Sequence, residues 1–554
     1  MRARTVLVSL LSLFVACSDE PAGAPDPTSD PRDGGGGDAA VDPSADGAVD
    51  GALPPTSTCE LTPLADVTGA TEVATEAALR AALAAGGKVR MTADITATSP
   101  LPVTTATILD GGGHTLSGGG TTHLLVATMT DLTVQNITIA DARNLVSAAQ
   151  HFSRQSGAAI MVSGGNGTTD GPAKGSLTVV KATFTGNHAE QVSNGDIRGG
   201  AVYVFNLPNA MFSETTFRNN VAVSGGAIGG LGSSLSIAAS VFEGNEGNNA
   251  GRGGNLDGTG GAISLDALSQ NGQTAYLRIC GARFKENRAV RTGGAIYYVN
   301  HWKTGSVVEI RQSAFERNET TSTTEGQGGA IFAMDDDKYP ANTGAANRTS
   351  VTESLFDGNT TWGQGGGIWF WTKDGSLLAR NVTFHANATA TAHETGMGGG
   401  LAISSGPATL LNCTFAANYA KFHGGGIQIS GAADATLAMG NTLFVDNLSN
   451  RNGGYANFHT NRAVDTDLGG NVQHLDPARV IDVNSDALVA AGATRADPKL
   501  APLADNGGPT PTMAIAAGSA AHDKGVSGAS VPEVDQRLKK RDATPDVGAF
   551  ELVP

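Results

Sequence analysis

Apolar and polar positions repeat in a fixed order through the middle of the chain. One copy runs Ser354-Leu-Phe-Asp-Gly-Asn-Thr-Thr-Trp-Gly-Gln-Gly-Gly-Gly-Ile-Trp-Phe-Trp371. It carries two marks, Phe-x-x-Asn (Phe356, Asn359) and Gly-Gly-(Ala/Gly)-Ile (Gly365 to Ile368). The first mark recurs at Phe184/Asn187, Phe217/Asn220, Phe242/Asn245, Phe284/Asn287, Phe315/Asn318, Phe384/Asn387, Phe415/Asn418 and Phe444/Asn447, so that nine of the 18 Phe fall in one pattern. The glycine mark follows most copies, at 199–202, 225–228, 260–263, 293–296, 328–331, 398–401 and 424–427. After each glycine mark the apolar residues alternate with period two, which predicts a strand with one buried side.

A repeat of roughly 25–42 residues means stacked units. Helical repeats need apolar residues at 3.6 spacing and few glycines. Leucine-rich repeats need a leucine ladder, and neither it nor the calcium-binding glycine nonapeptide is found here. The pattern therefore predicts an all-β chain, a right-handed parallel β-helix with one coil per repeat, an N-terminal helix cap and a C-terminal cap region. The motif Phe points inward and stacks on the Phe of the next coil. Asn187, Asn220, Asn245, Asn287, Asn318, Asn359, Asn387, Asn418 and Asn447 are expected to form a ladder of side-chain amides. The glycine pair allows a sharp turn with positive φ.

The alternation of Gly-Gly-Ala-Ile with Phe-x-x-Asn over about residues 184–454 resembles the polymorphic outer membrane protein repeat of bacterial surface proteins. The resemblance implies a pectate-lyase-like β-helix displayed on a cell surface. It does not by itself imply lyase activity.

The flanks divide the rest. Residues 1–17 read as an export signal, with Arg2 and Arg4 before the short apolar stretch Val6 to Ala16. Its end, Leu13-Phe-Val-Ala-Cys17, resembles a bacterial lipobox with Phe14 where Leu is usual; the resemblance makes Cys17 the lipidated N-terminus. Ser18 then points to the outer membrane of a Gram-negative bacterium and membrane attachment through lipid alone. Residues 18–58 set nine acids against Arg32 and have almost nothing to bury, which predicts a disordered, self-repelling tether. Residues 59–145 hold the N-terminal cap and first coils. Thr75 is an expected N-cap, Gly86 a stop, and Leu79 and Leu83 share one helix face. Residues 146–454 are the repeating coils, opening with a Gly/Ser-rich stretch, 150–175, read as a loop.

Residues 455–554 form the C-terminal cap. Asp497-Pro-Lys-Leu-Ala-Pro-Leu-Ala-Asp-Asn-Gly-Gly-Pro-Thr-Pro-Thr512, Asp535-Gln-Arg537 and Asp546-Val-Gly-Ala-Phe-Glu551 are similar in order to a choice-of-anchor Q domain, with Leu538 where Gly is usual. The segment is expected to close the last coil's apolar end, with Asp535, Arg537, Asp546 and Glu551 in buried ion pairs. No series of alternating ten-residue strands follows, so a C-terminal membrane barrel is not expected. Cys280 and Cys413 read as small apolar filler, and the odd number of cysteines after Cys17, with Cys59 the third, argues against a disulfide framework.

Charge and aromatics bear on function. A net charge of −16 and pI near 5.1 argue against a nucleic-acid partner. Strand parity sends Tyr203, Phe205, Tyr297, Phe332, Trp369 and Trp371 outward, with Trp302 close behind. Two readings stand: a side core covered by the loops 301–311 and 335–350, or an exposed platform for sugar rings or a partner protein. Asp335, Asp336 and Asp337 are a candidate calcium site, and a solvated turn is the alternative. Other groups for acid–base work are Asp266, Asp374, His301, Lys303 and Lys338, but the acids do not recur at one coil register. The chain thus reads as a surface-anchored, non-catalytic protein for adhesion or for binding a polysaccharide or cell-surface protein, with no cofactor required. A β-helix polysaccharide lyase or glycoside hydrolase and a purely structural envelope protein are the alternatives.

Overall fold

In a computed structural model the chain winds as a right-handed parallel β-helix whose coils follow the repeat. The structure describes residues 59–552 except 147–155, 166–172, 192–196, 249–257, 269–272, 337–343, 390–395, 450–457 and 529–530. Cys17, the tether to residue 58 and Asp337 lie outside the described residues.

Each coil gives strands to three parallel sheets of 26, 11 and 10 strands. The strand after the glycine mark, such as Ile331–Asp335, belongs to the 11-stranded sheet, here called the glycine sheet. The chain then enters the long sheet twice per coil, as in Arg348–Thr352 and Leu355–Asp357, around a bend with left-handed φ. A two-residue strand after the Asn, such as Thr360–Thr361, makes the short sheet.

The interior columns explain the repeat. Nine Phe rings from Phe184 to Phe444 stack with centroids 4.5–5.2 Å apart, and all are fully buried. Each ladder Asn from Asn187 to Asn418 donates its side-chain N–H to the Oδ1 of the Asn in the next coil at 2.8–2.9 Å. The same Oδ1 accepts the backbone N–H of the Asn below it, and the second side-chain N–H reaches the carbonyl of the preceding coil's motif Phe. One amide therefore satisfies two backbone groups of the preceding coil, an N–H and a carbonyl, that burial would otherwise leave costly. His459 ends both columns, its ring 5.9 Å from Phe444 and its Nδ1 3.4 Å from the Asn447 amide.

The glycine pair serves two purposes, not one. Only the first glycine has positive φ, 60–73° across the coils. The second is required by close approach: a Cβ on Gly226, Gly261 or Gly294 would lie 2.0–2.4 Å from a carbonyl oxygen of the next coil. The stretch read as a loop at 150–175 contains a further glycine-sheet strand, Ile160–Ser163, paired with Leu125–Thr128 and Val202–Phe205. Its mark is the variant Gly157-Ala-Ala-Ile160, with the left-handed φ again on the first glycine. The expected loops 301–311 and 335–350 are shorter than their spacing suggested, because Val307–Arg311 and Arg348–Thr352 are strands.

Both ends are closed. The helix Glu76–Ala85 has Thr75 as N-cap, Gly86 at its end and Leu79 and Leu83 in the core. At the far end Val489 and Ala490 enter the same core, and Gln473 takes the place of the next motif Phe, accepting Val489 N–H at 2.9 Å. The rest of the C-terminal segment does not plug the coil. It doubles back along the outside of the long sheet, where Val526, Val534 and Asp546 meet the bend residues Asn441, Asn381 and Asn412 through backbone groups. Leu443, Val472, Ile515, Ala521, Val547 and Phe550 form its own small core. Arg541 and Glu551 pair there at 2.9 Å, almost wholly buried, and Arg537 pairs with Asp535 at 2.7 Å.

The cysteines overturn the filler reading for Cys280. It is bonded to Cys59, 221 residues away, with Cα atoms 5.4 Å apart. The odd count misled because only Cys413 is left over, and the N-terminal segment runs as a strap across several coils that carries Cys59 to Cys280. Asp66 meets Lys88, Ala65 exchanges two hydrogen bonds with the Gln135 side chain, and Thr62 N–H reaches Ser213. Cys413 is the buried free thiol.

Candidate functional site

The outer side of the glycine sheet carries an apolar group separate from the main core. Strand register places Ser264, Tyr297, Phe332, Trp369 and Ala402 in one column. Tyr297 stacks on Phe332 at 5.1 Å, and Phe332 on Trp369 at 4.5 Å. Val299 packs with them, flanked by Met334 and Trp371 in the next outward column.

Exposure divides the aromatic candidates. Tyr203 is fully buried, and Phe332 and Trp369 keep only 6% and 7% of their surface in contact with solvent. These three are corrected from exposed platform residues to covered ones. For Phe332 and Trp369 the reason is local: the rings shield one another, and the Trp369 indole N–H donates to Gln364 Oε1, which also accepts from Ser404. Phe205, Tyr297, Trp302 and Trp371 are half-buried and offer edges to solvent. Trp302 is edge-on to His301 at 6.1 Å.

Beside the rings lies a row of alternating charge. Arg198 Nη2 is 2.7 Å from Asp266 Oδ2, His301 Nε2 is 3.4 Å from Asp266 Oδ1, and His301 Nδ1 is 2.8 Å from Asp336 Oδ1. Burial pulls the His301 pKa down, but the hydrogen bonds and charges of Asp266 and Asp336 outweigh it and raise it to about 9. For Asp266 burial is again the largest effect, raising its pKa, yet Arg198 and His301 together hold the carboxyl well below its usual range. At neutral pH the imidazole is therefore protonated, with a carboxylate at each nitrogen. The row can orient a polar ligand; it holds no imidazole lone pair ready to take a proton.

The fold brings Asp266, three residues after its motif Ile, together with His301 and Asp336, each five residues after theirs. Arg198 was missed. Its signal was the glycine at an outward strand position: a Cβ on Gly229 would lie 2.5 Å from Arg198 Cβ, so the missing side chain clears the path. Lys303 pairs instead with Asp374 at 3.5 Å.

In the described part of the acidic run, Asp335 and Asp336 take different partners. Asp335 Oδ2 accepts from Asn347 at 2.9 Å and Thr372 at 3.2 Å, whereas Asp336 turns to His301. Neighbouring strand residues point to opposite sides, so Asp335 and Asp336 are corrected as joint calcium ligands. The cavity beside Asp335, Asn347 and Trp371 measures about 20 Å³, room for about one water and not for a sugar. His522, Asp523 and Asp546 offer ligand atoms within 4.8 Å of one another, but the Asp546 carboxylate already accepts the Asp523 and Leu552 N–H groups.

No family profile and no curated protein matches the sequence. Among solved structures, a PL6 alginate lyase in complex with a trisaccharide is similar at 12% identity and a TM-score of 0.35, over 81% of this chain and 90% of that one. Likeness at that level carries nothing of the lyase's reaction or ligand to this chain.

Proposed function

We propose that this is a lipid-anchored surface protein of a Gram-negative outer membrane, used for adhesion through a polysaccharide or a partner protein. The resemblance of its repeat to polymorphic outer membrane protein repeats, of its C-terminus to the choice-of-anchor Q domain, and of Leu13–Cys17 to a lipobox supports surface display. The observation that carries the binding reading is the ring stack Tyr297–Phe332–Trp369 outside the main core, with the half-exposed edges of Tyr297, Trp302 and Trp371 beside a charge row. An apolar strip on the outer side of a sheet, rimmed by polar groups, has the make-up of a recognition surface.

A glycan array and a panel of surface proteins probed with the purified chain test this. Trp371→Ala is expected to weaken the captured ligand at least tenfold at an unchanged melting temperature. A ligand that binds the variant equally well would remove the ring face from the reading. The second reading, a polysaccharide lyase or hydrolase, draws on the Arg198–Asp266–His301–Asp336 row. Release of unsaturated or reducing ends from an array ligand, abolished by His301→Gln, would establish it.

A further inference from the structure

At the far end of the solenoid from the helix Glu76–Ala85, a loop leaves the last coil after the strand Val472–His474 and returns to the core at Val489 and Ala490. We infer that the tip of this loop, Val480 to Val483, inserts into the surface of a lipid bilayer carrying anionic headgroups. This contact goes beyond the adhesion reading and makes no use of the ring face.

Exposure is the first reason. Among the described residues, the large apolar side chains left exposed are Leu61, Leu64, Val480, Ile481, Val483 and Val526. Three of them fall within four successive positions, and Val480, Ile481 and Val483 keep 45%, 55% and 92% of their surface in solvent. Single apolar residues scattered over a surface are ordinary, whereas a cluster of them marks a contact site.

The turn beneath them is the second. The buried Ser485 hydroxyl accepts the Ile481 and Asp482 N–H groups, each at 3.1 Å. Asp482 Oδ1 accepts those of Asn484 and Ser485 at 2.9 and 3.0 Å. A turn tied in this way holds its apolar side chains outward instead of letting them collapse onto the surface.

Charge is the third, and it selects the partner. The nearby acids are engaged within the loop: Asp476 accepts Ala478 N–H, Asp482 is held in the turn, and Asp486 takes the Gln473 amide and pairs with Arg495 at 3.0 Å. From Pro477 to Asn484 every residue except Asp482 is exposed, and Arg479 is the exposed charge among them. In a chain of net charge −16, this tip offers water only apolar groups, an amide and one cation. That make-up suits a surface of acyl chains beneath anionic headgroups.

Size points the same way. Three such side chains cover on the order of a few hundred Å², well short of the roughly 800 Å² that each partner buries in a stable protein complex. A protruding knob needs a matching hollow in a protein, but a fluid bilayer parts around it, and binding then follows the apolar area buried plus the attraction to anionic lipid.

The test uses the full chain with Cys17→Ser, so that no lipid anchor contributes, and Asn484→Cys carrying an environment-sensitive fluorophore. Cys413 is buried and the other two cysteines are bonded to each other, so the label goes to the tip. Vesicles are phosphatidylcholine mixed with phosphatidylglycerol, or phosphatidylcholine alone. The mixed vesicles should shift the emission to the blue, and nitroxide-bearing lipid should quench it. With Val483→Asp the same shift should need at least tenfold more lipid, and Ile481→Asp with Val483→Asp should abolish it at an unchanged melting temperature. Arg479→Gln should cost about fivefold on the mixed vesicles and leave the neutral ones unchanged. The inference is overturned by an emission that neither vesicle moves, or by a shift that survives the double variant. A shift that grows with protein concentration in the absence of lipid would also overturn it, by assigning the tip to a second copy of the chain.

Discussion

The inside and the outside of the same strands obey different rules. Inside, Phe follows Phe and Asn follows Asn from coil to coil, at nearly constant spacing. Outside, the residue after the Ile is Tyr203, Gly229, Ser264, Tyr297, Phe332, Trp369, Ala402 and Gln428 in turn. An interior column works only if every neighbour is alike, since each Asn satisfies groups in the coils on both sides of it. An outer column has no such demand, and so its residues are free to differ.

The largest effect that sharpens the contrast is expected at the ladder. Asn318→Leu removes the acceptor of Asn287 N–H and of the Asn287 amide, and the donor to the Phe284 carbonyl. All are buried, and a loss of roughly 4 kcal/mol in denaturant unfolding is expected. An equal pair of truncations should then differ by face. Phe356→Ala in the inner stack should cost about 4 kcal/mol, and Phe332→Ala on the outer face about 2 kcal/mol, because its cavity can open to solvent. Equal costs would break the comparison.

The strap supplies the next test. Cys59→Ser with Cys280→Ser should lower stability by about 3 kcal/mol, since the bond closes a long loop of the unfolded chain. The Asn ladder should keep its amide-exchange protection. Loss of protection across the coils would mean that the strap, and not the interior, sets the register.

The smallest effect is electrostatic. The His301 pKa is raised in the folded state to about 9, above its unfolded value. Its contribution is then fully present below about pH 6.5 and is lost as pH rises through about 9. Unfolding curves across pH 6 to 10 (roughly the span of the two pKa values) should show this decline, and His301→Gln should flatten it. A decline that survives in the variant would assign the effect elsewhere.

What could be read in advance follows the same division. Phe356 and Asn359 were legible because their neighbours repeat them, and the fold rests on those columns. The helix at Glu76–Ala85 was legible from Thr75, Gly86 and the Leu79/Leu83 face. The strand Ile160–Ser163 was lost because its mark has one glycine in place of two. The Cys59–Cys280 bond was illegible because the strap crosses coils at right angles to the repeat. For the outer face, parity gave direction but not exposure: Trp369 points outward and is still covered, by Phe332 and the Gln364 contact. The charge row was hidden because Asp266 and His301 sit at different offsets from their glycine marks, and only the stacking of coils makes them neighbours.

The strap has a mechanical consequence. Tension applied through the residues before Cys59 does not reach the helix at the first coil as a peeling force. It passes through the covalent bond to Cys280 and enters the solenoid partway along its flank, as shear shared by the rungs on either side. Parallel strands resist shear by breaking many hydrogen bonds at once, and peeling by breaking them one after another. A molecule pulled from this point would yield last where a molecule pulled from its tip would yield first.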